Sequence, residues 1–246
     1  MLLSQPPTSL LNGASLFLDF DGTLVEVASR PDGVEVSTRL LGLLRGLQDR
    51  LHGRVALLSG RAAEELWELT RPLELPIGGS HGLEKLSSDG RLLSHPPNPG
   101  LADIINELSN LAAEHPGILI EPKPSGVAIH YRLAPDAERL CQAAAERAAS
   151  AIGMELQHGK MVVELKPAGA DKGTMLRSFM AEAPFQGTRP IFIGDDLTDE
   201  HGFEAAKDFG GCGILVGSMR PTSASYRIDG VTTVINWLEA ACKAMA

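Results

Sequence analysis

Asp19 and Asp21, in the segment Asp19-Phe20-Asp21-Gly22-Thr23, are the residues of this chain best suited by type and spacing to do chemistry. They follow the apolar run SLFL, which places Asp19 at the carboxyl end of a strand. In open α/β sheets that edge is where ligands bind. A spacing of i, i+2 in extended chain lets both carboxylates point the same way, and Gly22 permits a sharp turn directly after them. Two carboxylates this close repel, so one pKa is expected to rise unless a cation intervenes. Such a pair suits a nucleophile beside a general acid/base. An isolated DxD is more often a hydrophilic turn; DFDGT after SLFL is a stronger signal.

A second acidic group, Gly194-Asp195-Asp196-Leu197-Thr198-Asp199-Glu200, follows the apolar segment PIFI. A helix N-terminus gains about 0.3–1 kcal/mol from each such acid, which accounts for one or two of them. Four carboxylates on the same sheet edge as Asp19 and Asp21 point instead to a hard divalent cation, and oxygen-only ligands with room for phosphate fit Mg²⁺ best. Ser59-Gly60-Arg61 follows the run VALL and opens a helix, a cradle for an anion. Lys172 also opens a helix, where a cation opposes the macrodipole unless an anion sits beside it.

The elements that must position these groups alternate. Strands are expected at 15–20, 54–58, 75–78, 190–193 and 212–216, and helices at 37–50, 62–69, 171–181, 198–208 and 232–245. That order implies a doubly wound, mostly parallel sheet. The middle differs: the break HPPNPG at 95–100 precedes helices at about 102–114 and 135–150 and strands at 117–121, 126–132, 154–157 and 160–165. An αββαββ order suits helices on one face of an antiparallel sheet. The expected organisation is therefore a core domain of 1–97 and 167–246 with an inserted α+β cap domain at 98–166. In the cap, Val127, Ile129 and Tyr131 alternate with Ala128, His130 and Arg132, and Met161, Val163 and Leu165 with Val162 and Glu164.

Composition narrows the classes further. The 246 residues are 43% hydrophobic and 22% charged, ordinary for a globular chain with a sizeable core. A net charge of −9 is the wrong sign for a nucleic-acid partner. Three cysteines far apart, with no CxxC, suit a reducing compartment. No apolar run approaches the ~20 residues of a membrane span, and no Lys or Arg precedes Arg30, as a secretory signal would require. A cytoplasmic protein with a small-molecule partner, no membrane and no obligate protein partner is expected.

With DFDGT, the Ser of LLSGR, the Lys of DKG and GDDLTD in order, the chain resembles the haloacid dehalogenase superfamily of phosphohydrolases, whose core is Rossmann-like. The resemblance implies that Asp19 attacks phosphorus to form an aspartyl phosphate and that Asp21 serves the leaving group and then water. Asp19, Asp195 and the backbone carbonyl of Asp21 would hold Mg²⁺. Thr23, Ser59 and Lys172 would hold phosphate oxygens, with Asp199 steadying Lys172 or the metal shell. The segments GGSHGLE, EPKPSGVAIHYR, VVELKP and GDDLTDE resemble trehalose-6-phosphate phosphatases more narrowly. That implies hydrolysis of trehalose 6-phosphate, the closing step of trehalose synthesis, with Glu121, Lys123 and Glu164 reading the sugar. Arg61, His81 and Arg132 receive no role. The alternatives are a phosphatase or phosphomutase acting on another sugar phosphate, and, disfavoured by length and by the inserted domain, a phospho-accepting receiver module.

Overall fold

The computed structural model describes residues 3–27, 34, 36–96, 98–159 and 161–245. It divides into two compact units, Met1–Ser94 with Asp171–Ala246, and His95–Ala170.

The larger unit is built on an eight-stranded sheet. Its strands are β1 (Ala14–Leu18), β2 (Val55–Leu58), β3 (Ile77–Gly79), β4 (Glu84–Leu86), β5 (Leu92–Ser94), β10 (Arg189–Gly194), β11 (Cys212–Val216) and β12 (Tyr226–Ile228); β6–β9 belong to the smaller unit. The order is β12-β11-β10-β1-β2-β3-β4-β5, parallel from β12 to β3 and antiparallel beyond. All five residues of β1 are buried because both faces are covered. Leu16 and Leu18 pack with Leu57, Ile193, Leu44 and Leu47 on one side, and Phe17 packs with Phe179, Phe185 and Phe192 on the other. Removing one such side chain from water stabilises by roughly 1.5–3 kcal/mol.

Helix α1 (Thr38–Arg50) starts where the Ser37 hydroxyl accepts the Leu40 N–H, and buries Leu40, Leu43, Leu44 and Leu47 at helical spacing. Helix α2 (Ala63–Thr70) follows β2. Helices α5 (Lys172–Met180) and α6 (Glu200–Asp208) supply Met175, Leu176, Phe179 and Phe203 to the second face. Helix α7 (Val231–Ala244) supplies Val234, Trp237 and Leu238 to the first.

Three features depart from the pattern read in the sequence. Strands β4, β5 and β12 are three residues each, too short for a period of two to register. Glu84 and Lys85 are buried in β4 because they are paired, Glu84 accepting the Ala63 N–H at 2.7 Å and Lys85 reaching Ser178 and Glu182. The helix expected over 198–208 begins instead as a 3₁₀ turn, Leu197–Asp199.

The smaller unit has strands β6 (Leu119–Lys123), β7 (Gly126–His130), β8 (Met154–Gly159) and β9 (Val162–Pro167) in the order β6-β7-β9-β8, all antiparallel. Helices α3 (Leu101–Glu114) and α4 (Glu138–Ile152) pack on Val127, Ile129, Val163 and Leu165. Of the strand expected over 160–165, Lys160 lies outside the described residues and β9 starts at Val162. Glu121, Ala128, Glu164 and Gln157 form one cross-strand row. No helix among the described residues is long and apolar enough to cross a membrane.

Candidate active site

Parallel register brings the chemical residues to one edge of the larger sheet. Leu18 pairs with Ile193 and with Leu57, so Asp19, Ser59 and Asp195 follow adjacent strand ends. Asp19 keeps its N–H on the Ile193 carbonyl at 2.9 Å. Helix α5 begins beside them, its N-terminus closed by a capping box between Asp171 and Thr174.

Lys172 is the centre of the cluster. Its Nζ donates to Asp19 Oδ1 and to Asp199 Oδ1, both at 2.6 Å, and all three residues are buried. The 3₁₀ turn delivers Asp199 to this place, and its other oxygen accepts the Asp196 N–H at 2.9 Å. Carboxylate oxygens of Asp19, Asp195 and Asp199 lie within 4.8 Å of one another. Burial pushes Asp19 up to about 6, although Lys172 pulls the other way. Burial, then the charge of Asp19, pushes Asp199 up to about 7. Asp195 is raised by burial and by Asp199. Burial acts to lower the Lys172 ammonium, but the two carboxylates outweigh it and hold the pKa above the ordinary lysine value.

An all-oxygen set of three crowded carboxylates is the donor chemistry of a hard divalent cation. Gly22 leaves room for the Asp195 carboxylate: its φ is +82°, and a Cβ there would stand 2.2 Å from an Asp195 carboxylate oxygen. Thr23, fully buried, donates its hydroxyl to Asp195 at 3.4 Å.

Asp21 has a different partner from the one its spacing suggested. The guanidinium of Arg61 grips it, Nε to Oδ2 at 2.6 Å and Nη2 to Oδ1 at 2.8 Å. Arg61 also pairs with Glu65 and lies 5.8 Å from the Phe20 ring centre. Asp195 and Asp199 are the carboxylates crowded with Asp19 in the acidic cluster. The chain turns at Gly22, with an isolated bridge from Asp21 to Val25, and the two i, i+2 side chains take separate partners. Arg61 was legible only as an arginine at a helix start, where a cation is out of place unless an anion sits nearby. Buried Ser59 accepts the Arg61 N–H at 3.2 Å. His81 sits against Gly60, where a Cβ would meet Nε2 at 2.5 Å.

In the smaller unit, Lys123 pairs with Glu164 at 2.7 Å and His130 with Glu121 at 2.8 Å. Arg132 lies beyond the end of β7 and is exposed.

Residues 17–232 match the family model described as Trehalose-phosphatase. The chain is 41% identical over 225 residues to the trehalose-6-phosphate phosphatase of Escherichia coli (strain K12), covering 91% of this chain and 84% of that protein. A solved structure of a trehalose-6-phosphate phosphatase related protein superposes with a TM-score of 0.75 at 28% identity, covering 94% of this chain and 98% of that one. The C-terminal domain of a Candida albicans trehalose-6-phosphate phosphatase shares the fold, with a TM-score of 0.77 at 19% identity over 98% of each chain.

The raised carboxyl pKa values have a consequence for stability. Between the unfolded value of 3.8 and the folded values of about 6 for Asp19 and about 7 for Asp199, the folded state binds more protons than the unfolded chain. The contribution of these groups to stability therefore falls as pH rises through that window. A divalent cation bound among these carboxylates would replace the protons. The rise in Tm caused by a saturating divalent cation, relative to chelator, should therefore keep growing from about pH 5 to about pH 7.5. Thermal melts across that range check this; a gain already complete by about pH 5 is what ordinary carboxylates would give.

Proposed function

The chain belongs to the trehalose-phosphatase family, and from that premise we propose that it hydrolyses trehalose 6-phosphate to trehalose and inorganic phosphate, with Asp19 as nucleophile and Mg²⁺ as its ion. The observation that carries the reading is the buried Asp19–Lys172–Asp199 arrangement beside Asp195 at the carboxyl edge of the sheet.

Phosphoryl transfer asks the protein chiefly for positioning and for neutralisation of charge. Lys172 keeps Asp19 in one orientation. Asp19 attacks phosphorus as the bond to the sugar oxygen breaks, and Asp21 gives that oxygen a proton. Water then attacks the aspartyl phosphate while Asp21 takes its proton, and Asp19 and phosphate are released. Arg61 orients Asp21 through both of its carboxyl oxygens. Ser59, Thr23 and Lys172 bind phosphate oxygens. Asp19, Asp195 and the Asp21 carbonyl would hold the ion, with Asp199 steadying Lys172 or the metal shell, and it would supply charge neutralisation at the transferred group. Glu121, Lys123 and Glu164 read the sugar hydroxyls through charge-assisted hydrogen bonds.

Phosphate release from trehalose 6-phosphate should exceed that from glucose 6-phosphate in kcat/KM by about tenfold or more, since the smaller sugar forfeits hydrogen bonds worth roughly 1.5–3 kcal/mol each. Comparable turnover of both would assign another sugar phosphate, and full activity in excess chelator would remove the metal. Intact-mass measurement after mixing with substrate separates the aspartates: Asp19→Asn should never carry a phosphoryl group, whereas Asp21→Asn should react very slowly and with an activated aryl phosphate accumulate one. Glu164→Ala and Glu121→Ala should lose about tenfold or more in kcat/KM on trehalose 6-phosphate and almost nothing on a small aryl phosphate. An equal fall on both substrates would mean these residues act through stability.

A further inference from the structure

The Asp195 side chain meets the Thr23 hydroxyl at a long 3.4 Å and the Asp19 carboxyl, whereas Asp19 and Asp199 are each tied to Lys172. Its position is set by the backbone just after β10 leaves the sheet at Gly194. That backbone is gripped from a distant segment. Arg220, in the connection between β11 and β12, donates Nη2 to the Asp196 carbonyl at 2.7 Å and to the Asp195 carbonyl at 3.4 Å. Its Nη1 pairs with Glu200 and meets the Pro221 carbonyl at 3.3 Å. Glu200 in turn accepts the Ser223 N–H at 2.6 Å, so the guanidinium is itself fixed. On the amide side, the Asp196 N–H goes to Asp199. The peptide joining Asp195 to Asp196 is thus held through its own carbonyl and its N–H, and the peptide after it through the Asp196 carbonyl.

We infer that Arg220 is a positioning residue for the metal site: its Nη2, shared between the Asp195 and Asp196 carbonyls while Nη1 is held by Glu200, fixes the Asp195 carboxylate where the divalent cation needs it. The inference rests on the reading of the acidic cluster as a cation site. Mg²⁺ demands near-ideal octahedral ligand placement, so a small shift of one carboxylate weakens binding. Loss of an outer-shell partner of a metal ligand typically costs about 10–100-fold in affinity. Simple charge predicts the reverse, because removing a cation from beside the site should tighten Mg²⁺ binding. The two accounts therefore differ in sign.

The test is calorimetric titration of Mg²⁺ into chelator-stripped protein, for wild type, Arg220→Gln, Arg220→Lys and Glu200→Gln. Wild type should bind at one site; absence of binding there would refute the cation reading itself. Arg220→Gln should weaken Kd by about tenfold or more. Arg220→Lys keeps the charge but cannot span two carbonyls and Glu200 together, so it should also weaken Kd. Glu200→Gln, which loosens the guanidinium, should weaken it less. With excess Mg²⁺ the kcat of Arg220→Lys should recover towards wild type while KM for the sugar phosphate stays put. Unchanged or tighter Mg²⁺ binding in both arginine variants, with or without a fall in Tm, overturns the inference. If Arg220→Gln does not fold, Arg220→Lys decides alone.

Discussion

One lysine amine buried between two carboxylates is the constraint on which the site depends. Lys172 touches Asp19 and Asp199 at 2.6 Å each, and a third carboxylate, Asp195, stands within reach of both. Like charges about 4 Å apart repel by roughly 4 kcal/mol at an effective dielectric near 20. A single ammonium cannot cancel three carboxylates, and burial, with the repulsion of neighbouring carboxylates added, holds Asp19 and Asp199 above the usual carboxylate range. The same surplus of negative charge is the condition under which a hard cation would be taken up. Stability given up by crowding the carboxylates becomes affinity for what binds among them.

The surrounding structure serves to keep these groups from moving apart. Two-sided burial of β1, β2 and β10 fixes the strand ends, and parallel register puts their last residues side by side. A reciprocal cap stiffens the turn from Asp196 to Asp199. Gly194 has no side chain because one would strike the Asp199 carboxyl at 2.3 Å. Arg61 and Arg220 each bring a planar fork from elsewhere in the chain, one to a carboxylate and one to backbone carbonyls, tasks a lysine performs poorly.

Much of this is legible in the amino-acid sequence, for physical reasons. A parallel strand covered on both faces must be a continuous apolar run, so SLFL, VALL, PIFI and CGILV stand out, and the polar residues that end them fall at one edge. Leu40, Leu43, Leu44 and Leu47 declare α1 by spacing alone. Alternation in β7 and β9 separates Val127 and Ile129 from Ala128 and His130. The three-residue strands β4, β5 and β12 do not declare themselves, nor do polar residues buried only because a distant partner meets them, as with Glu84 and Lys85. The Arg61 fork on Asp21 and the reach of Arg220 depend on how separate loops meet at the sheet edge, which no local spacing encodes.

The central claim is that Lys172 holds together a cluster that would otherwise be uncompensated. Denaturant unfolding of Lys172→Met in chelator near neutral pH tests it most directly, with the double variant Lys172→Met/Asp199→Asn alongside. Removing one partner of a buried ion pair costs about 3–5 kcal/mol, so the single variant should lose about that much. The double variant should recover part of the loss, because a buried charge has been removed with its partner. A single variant as stable as wild type, or a double variant whose losses merely add, would contradict the account.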